Sequence, residues 1–268
     1  MSQPRERIRR GIPLRAVVPN AVTALALCVG LTAVRFAIAG EWERALAATV
    51  VAAVLDGMDG RIARMLNGQS RFGAELDSLS DVIAFGVAPA IVLHLWALQE
   101  WPRFGWMFAL AYAACAALRL ARFNAQIDAD EQPHKSAGFL TGVPAPAGAG
   151  LLLLPIFLWL ASGQQWEWLH DSIYGIAAWA AFVAFLMISN VATFSWTSFR
   201  LRRRVRLEAI VVIALLGGAL VTAPWETLSV LALIYVALIP FSIASYAKVK
   251  RQRAGAVQRP AGADAPQG

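Results

Sequence analysis

The sequence predicts an all-α, polytopic integral membrane protein with about eight transmembrane helices. Composition is the first reason. Of 268 residues, 58% are hydrophobic and 15% charged, with a mean hydropathy of +0.56, outside the range of soluble domains. The second reason is segmentation: the apolar residues run in stretches of roughly 20, the length that crosses a ~30 Å hydrocarbon core. The third is the placement of charge. The formal charge of +7 comes from Lys and Arg gathered between the apolar stretches, which is a topology signal and gives no reason to expect a nucleic-acid partner.

Taken in order, residues 1–16 form a basic arm in which Ile8, Ile12 and Leu14 lie among five arginines. Such an arm suits an anionic membrane surface, and equally a disordered tail. The first apolar run is long enough to span and has no clear small-residue cleavage site, so a cleaved signal peptide is not expected. Spans are predicted at 17–39, 43–66, 75–98, 103–123, 143–162, 173–197, 207–223 and 227–247, making 17–247 a transmembrane domain. Residues 248–268 are basic, then rich in Ala, Gly and Pro, and predicted to be a disordered tail. Pro155, Pro224 and Pro240 are expected at kinks or span boundaries. Cys28 and Cys115 fall inside apolar segments and read as small core residues.

Orientation follows from the cations. With the N-terminus cytoplasmic, that side collects 21 of the 24 Lys and Arg. They come from the arm, from Arg61, Arg64 and Arg71, from Arg119, Arg122 and Lys135, from the cluster at Arg200–Arg206, and from the tail after Lys248. Arg44 and Arg103 fall on the other side, and Arg35 lies within the first span. The positive-inside rule then predicts an inner (plasma) membrane protein with both termini cytoplasmic. Trp166 and Trp168 lie in an outer loop, where interfacial aromatics are expected.

The residues with chemistry in them are four aspartates at the ends of the second and third spans. Asp56 and Asp59 are spaced i,i+3 and Asp77 and Asp81 are spaced i,i+4, so each pair shares one helical face. An aspartate at mid-membrane costs about 2.5–3.5 kcal/mol on insertion scales, so a compensating partner is implied. One straight helix would hold Asp59 and Asp77 ~27 Å apart at about 1.5 Å per residue. A reversal at Asn67–Ser70 brings the pairs together. Converging carboxylates repel unless cations lie between them, and hard oxygen donors suit Mg²⁺ or Mn²⁺. The alternative is helix-end carboxylates paired with Arg61, Arg64 and Arg71. His94, His134 and His170 show no metal-ligand spacing.

These residues carry a resemblance. Asp56-x-x-Asp59-Gly60-x-x-Ala63-Arg64, eight residues, then Gly73-x-x-x-Asp77-x-x-x-Asp81 is similar to the signature of the CDP-alcohol phosphotransferase family, without departure at any of its positions. The resemblance implies transfer of a phosphatidyl-type group from a CDP-linked donor to an alcohol, with release of CMP. It implies that Asp56, Asp59 and Asp77 ligate metal, and that Asp81 joins them while serving as general base. It further implies two ions of Mg²⁺ or Mn²⁺ and a homodimer, while the placement of Lys and Arg puts the aspartates on the cytoplasmic side. Pro19-Asn20-x-x-Thr23 resembles a family segment near the nucleotide; Asn20 and Thr23 either do that or cap the first helix. Gly60, Ala63 and Gly73 would let the nucleotide approach, or let membrane helices close up. Arg64 suits a phosphate clamp.

Arg122-Phe123-Asn124 and Gly142-Val143-Pro144-Ala145-Pro146-Ala147 resemble the serine-accepting branch of that family, so the resemblance covers about residues 15–150. It implies CDP-diacylglycerol and L-serine as substrates. Arg119, Arg122, Asn124, Gly142 and Pro144 are the candidates for the acceptor or a lipid phosphate. The two arginines, i,i+3 on one helix, could equally snorkel to membrane lipid headgroups. The rival readings are the same chemistry on choline, glycerol 3-phosphate or an inositol compound, a divalent-cation transporter, and a non-catalytic lipid-binding scaffold.

Overall fold

The computed structural model describes residues 14–66, 68–128, 139–189, 192–194 and 206–257. The chain forms two compact units, Met1–Trp96 and Ala97–Gly268. The first holds α1 (Leu14–Ile38), α2 (Trp42–Met65), α3 (Arg71–Asp81), a six-residue π-helical turn (Val82–Val87) and α4 (Ala88–Trp96). It is organised around α1, which packs along α2, α3, the π-helical turn and α4. The reason is a seam of small residues. Pro19, Thr23, Ala26, Gly30, Ala33 and Ala37 are buried at alternating spacings of four and three, one face of a helix. Small side chains let membrane helices approach closely, which is where their packing energy comes from. The closest approach is at Gly30, where a Cβ would lie 2.9 Å from the Ala84 Cβ in the π-helical turn. No side chain fits there. Because α1 starts at Leu14, Pro19 falls in its second turn, and Asn20 and Thr23 lie inside the helix and do not cap it.

The reversal expected between the aspartate pairs is present. α2 ends at Met65, the Gly68 N–H returns to the Ala63 carbonyl at 2.9 Å, and Ser70 opens α3. Ser70 is an N-cap in extended backbone whose hydroxyl accepts the Gly73 N–H at 3.0 Å.

The second unit holds a short 3₁₀ turn (Leu98–Glu100), α5 (Gly105–Asp128), β1 (Phe139–Thr141), α6 (Ala145–Leu152), α7 (Leu154–Ala161), α8 (Glu167–Asp171), α9 (Ile173–Ile188), β2 (Ala192–Phe194), α10 (Arg206–Thr222) and α11 (Pro224–Val257). α9 packs on α5 and α6, and α11 packs on α7 and α10. The expected span at 143–162 is divided at Leu153, with Pro155 at the start of α7. Proline has no N–H, so the Leu151 carbonyl loses its ordinary i+4 donor. Trp179 of α9 replaces it, its indole N–H donating to that carbonyl at 2.8 Å.

The fold is all-α as expected, apart from one short antiparallel ribbon of β1 and β2, with Leu140 opposite Thr193. Phe-Leu-Thr and Ala-Thr-Phe carry β-branched and aromatic residues that suit such pairing, and the helix expected across 173–197 ends at Ile188. The count of spans is also coarser than eight. Among the described residues four helices are long and apolar enough to cross a membrane: Val17–Ile38, Arg71–Trp96, Gly105–Ala125 and Pro224–Ser242. Ile173–Ile188 and Ile210–Thr222 are apolar but shorter. α2 falls outside that group because it carries Glu43, Arg44, Asp56, Asp59, Arg61 and Arg64. Faces exposing Leu25, Leu31 and Val54 in the first unit, and Ile213, Leu215 and Phe241 in the second, need an apolar surround. α11 continues to Val257, inside the expected tail; most of the N-terminal arm, Lys135, His134, Arg200 and residues 258–268 lie outside the described residues.

Candidate functional site

The seam of α2 turns polar without leaving its face. Ala45, Ala48, Thr49 and Ala52 are buried; at the same helical spacing follow Asp56, Asp59 and Ala63, with Asp59 only 5% exposed. α3 presents Gly73, Asp77 and Ser80 in the same way. The reversal at residues 66–70 puts these faces together. Asp56, Asp59 and Asp77 each offer a carboxylate oxygen, all within 4.8 Å of one another. Asp81 closes α3 one turn beyond Asp77. Three of the four aspartates singled out by spacing therefore meet.

This donor set fits a hard divalent cation. Mg²⁺ holds oxygens at ~2.0–2.1 Å, so ligands on opposite sides of one ion are ~4.2 Å apart. Three part-buried carboxylates at that separation repel strongly unless positive charge lies among them. Among the described residues no histidine or cysteine belongs to the group.

Beside the aspartates lies a cavity of about 330 Å³. All six residues expected at the nucleotide line it: Asn20 and Thr23 from α1, Gly60, Ala63 and Arg64 from α2, and Gly73 from α3, with Asp59 and Asp77 in the same wall. The two glycines have different reasons for being small. A Cβ on Gly60 would meet nothing within 4 Å, so the space in front of it belongs to the cavity. A Cβ on Gly73 would collide with Asn20, whose carboxamide fills that space. The lining also includes Gly68, Gln69 and Ser70, which sequence reasoning treated only as a turn. The signal was their polarity between two apolar spans.

Thr23 faces the carboxylates. Its Oγ1 donates to Asp59 Oδ2 at 2.6 Å, with the Pro19 carbonyl 3.1 Å away as a second acceptor. Ser80, between Asp77 and Asp81, donates to the Thr23 carbonyl at 3.3 Å.

The residues expected at the acceptor belong to the second unit. Arg122 donates to the Ile188 carbonyl at 3.0 Å, at the C-terminal end of α9, where a cation complements exposed carbonyls. Gly142, at φ +74°, sits against the Met187 and Ser189 carbonyls of the same helix end. Pro144 caps the start of α6. Arg119 and Asn124 are half-buried on α5.

The model of the CDP-alcohol phosphatidyltransferase family matches residues 16–188, and that of a second group, CDP-alcohol phosphatidyltransferase 2, matches residues 204–240. Among similar proteins, one from Mycobacterium tuberculosis is 39% identical over 239 residues, covering 89% of this chain and 82% of its own. One from Helicobacter pylori is 29% identical over 218 residues, covering 81% and 87%. One from Bacillus subtilis is 35% identical over 138 residues, covering 51% and 74%. Each of the three bears the name CDP-diacylglycerol–serine O-phosphatidyltransferase.

Proposed function

Because the chain belongs to the CDP-alcohol phosphatidyltransferase family, we propose that it transfers the phosphatidyl group of CDP-diacylglycerol to the hydroxyl of L-serine, giving phosphatidylserine and CMP. The observation that carries the reading is the convergence of Asp56, Asp59 and Asp77 within 4.8 Å, with Asp59 and Asp77 in the wall of a cavity of about 330 Å³. The choice of serine rests on the names of the relatives and on the Arg122-Phe123-Asn124 and Gly142-Val143-Pro144 segments.

Asp56, Asp59, Asp77 and Asp81 would hold Mg²⁺ or Mn²⁺, in one or two ions. Bound there, such ions neutralise diphosphate charge and stabilise the leaving CMP oxygen. The rest falls to the chain. Asn20, Gly60, Ala63 and Gly73 receive the nucleotide, and Arg64, at the cavity rim, supplies a bidentate contact for phosphate. Asp81 accepts the proton of the serine hydroxyl as its oxygen bonds to the phosphatidyl phosphorus. The bond from that phosphorus to CMP breaks, and the electron pair leaves with CMP. Arg119 and Arg122 are the cations proposed to meet the serine carboxylate or a lipid phosphate. The acyl chains stay in the bilayer, with the site on the cytoplasmic side in a homodimeric enzyme.

The test is CMP release by the purified full chain in detergent, with CDP-diacylglycerol, Mn²⁺ and a panel of acceptors. Serine is expected to support release. Release with choline, glycerol 3-phosphate or inositol alone would reassign the acceptor, and release with none of them would reject the transferase reading.

A further inference from the structure

Three polar residues from three helices are buried at one level of the first unit: Thr23 on α1 is 4% exposed, Asp59 on α2 is 5% and Ser80 on α3 is 2%. Buried polar groups without partners are costly, and these three are each other's partners. The Ser80 hydroxyl donates to the Thr23 backbone carbonyl, and the Thr23 hydroxyl donates to Asp59. The Thr23–Asp59 separation of 2.6 Å lies in the range of charge-assisted O–H···O⁻ bonds, ~2.5–2.7 Å. The competing acceptor, the Pro19 carbonyl, is farther away.

We propose that Thr23 is a positioning residue for the Asp59 carboxylate, and that its hydroxyl sets the rotation at which Asp59 meets a divalent cation. This rests on the reading of the aspartates as metal ligands, and it gives Thr23 a role other than contact with the nucleotide. α1 contributes no carboxylate, yet through Thr23 it orients one ligand of α2. Through Ser80 it ties down α3 between that helix's two carboxylates. A hydrogen bond to one oxygen leaves the other oxygen, and the remaining lone pair of the first, for the cation. Valine is close to threonine in shape, so it keeps most of the packing at this buried position of the α1 seam while removing the donor.

The experiment measures Mn²⁺ binding directly, by the electron paramagnetic resonance of free Mn²⁺, on the full chain in detergent without substrate. Rates are then measured against Mn²⁺ and against CDP-diacylglycerol. Outer-shell partners of metal ligands are typically worth 10–100-fold in affinity. Thr23→Val is expected to weaken Mn²⁺ binding by roughly that factor and to raise the Mn²⁺ needed for half-maximal rate in parallel. At saturating Mn²⁺ its KM for CDP-diacylglycerol should stay within about twofold, because no nucleotide contact is lost. Thr23→Ser restores the hydroxyl and should restore Mn²⁺ binding. Thr23→Ala gives the same comparison should the valine variant fail to accumulate. Unchanged Mn²⁺ binding in Thr23→Val, with a raised KM for CDP-diacylglycerol, would overturn the proposal and make Thr23 a nucleotide contact. Absence of Mn²⁺ binding by the wild-type chain would instead overturn the metal reading of the aspartates itself.

Discussion

The Asn20 carboxamide of α1 occupies the space that a side chain at position 73 of α3 would need: a Cβ on Gly73 would lie 2.6 Å from Asn20 Oδ1. The family's glycine thus makes room for another residue of the site, and both line the cavity beside the aspartates. Gly73→Ala must push Asn20 aside. If Asn20 gives the nucleotide one hydrogen bond, its loss costs about 1 kcal/mol, or roughly fivefold in affinity. The expected result is a severalfold rise in KM for CDP-diacylglycerol, with Mn²⁺ binding kept.

Gly30 and Gly60 separate packing from ligand access. Gly30 is pressed against Ala84, whereas Gly60 faces open space. Gly30→Leu overpacks the α1 seam and is expected to cost about 1–3 kcal/mol, read as a fall of several degrees in Tm in detergent. Gly60→Ala should leave Tm unchanged and raise KM for CDP-diacylglycerol. A Tm loss in both variants would make Gly60 a packing residue.

Asp81 and Asp77 should fail differently. Asp81→Asn removes the proposed base, a contribution of typically 10²–10⁴-fold in rate, and is expected to abolish measurable CMP release while Mn²⁺ still binds. Asp77→Ala, like Asp56→Ala, should lose Mn²⁺ binding together with turnover. In the wild type, a chelator should stop CMP release, and excess Mg²⁺ or Mn²⁺ should restore it. Release that continues after chelation would remove the metals from the reaction.

Trp179 supplies the donor that Pro155 lacks, at the Leu151 carbonyl. Trp179→Phe keeps most of the apolar area but strands that buried carbonyl, at a cost of about 1–3 kcal/mol. The check is thermal unfolding of Trp179→Phe alongside Phe182→Leu, a nearby apolar change that leaves the bond in place. Equal loss in both would show that packing alone matters at this position.

The convergence of the aspartates was legible in the sequence because helical periodicity is local. Spacings of three and four put Asp56 with Asp59 and Asp77 with Asp81, and a polar break between two apolar runs implied the reversal. The cavity lining followed for the same reason, since Asn20, Gly60, Ala63, Arg64 and Gly73 belong to motifs at set spacing. The ribbon at 139–141 and 192–194 was not legible, because pairing between distant three-residue segments leaves no periodic trace. The break at Leu153 was legible through Pro155, but the tryptophan of another helix that answers the orphaned Leu151 carbonyl was not.

By itself the sequence determined which residues share a face, where charge interrupts the apolar runs, and hence that two carboxylate pairs would meet near one reversal. Tertiary structure alone decided that Thr23 turns to Asp59, that Asn20 fills the place left at Gly73, and that a π-helical turn follows Asp81 against Gly30. Those outcomes depend on which helices lie side by side and how closely, because close packing and the pairing of buried polar groups are settled only between segments far apart in the chain.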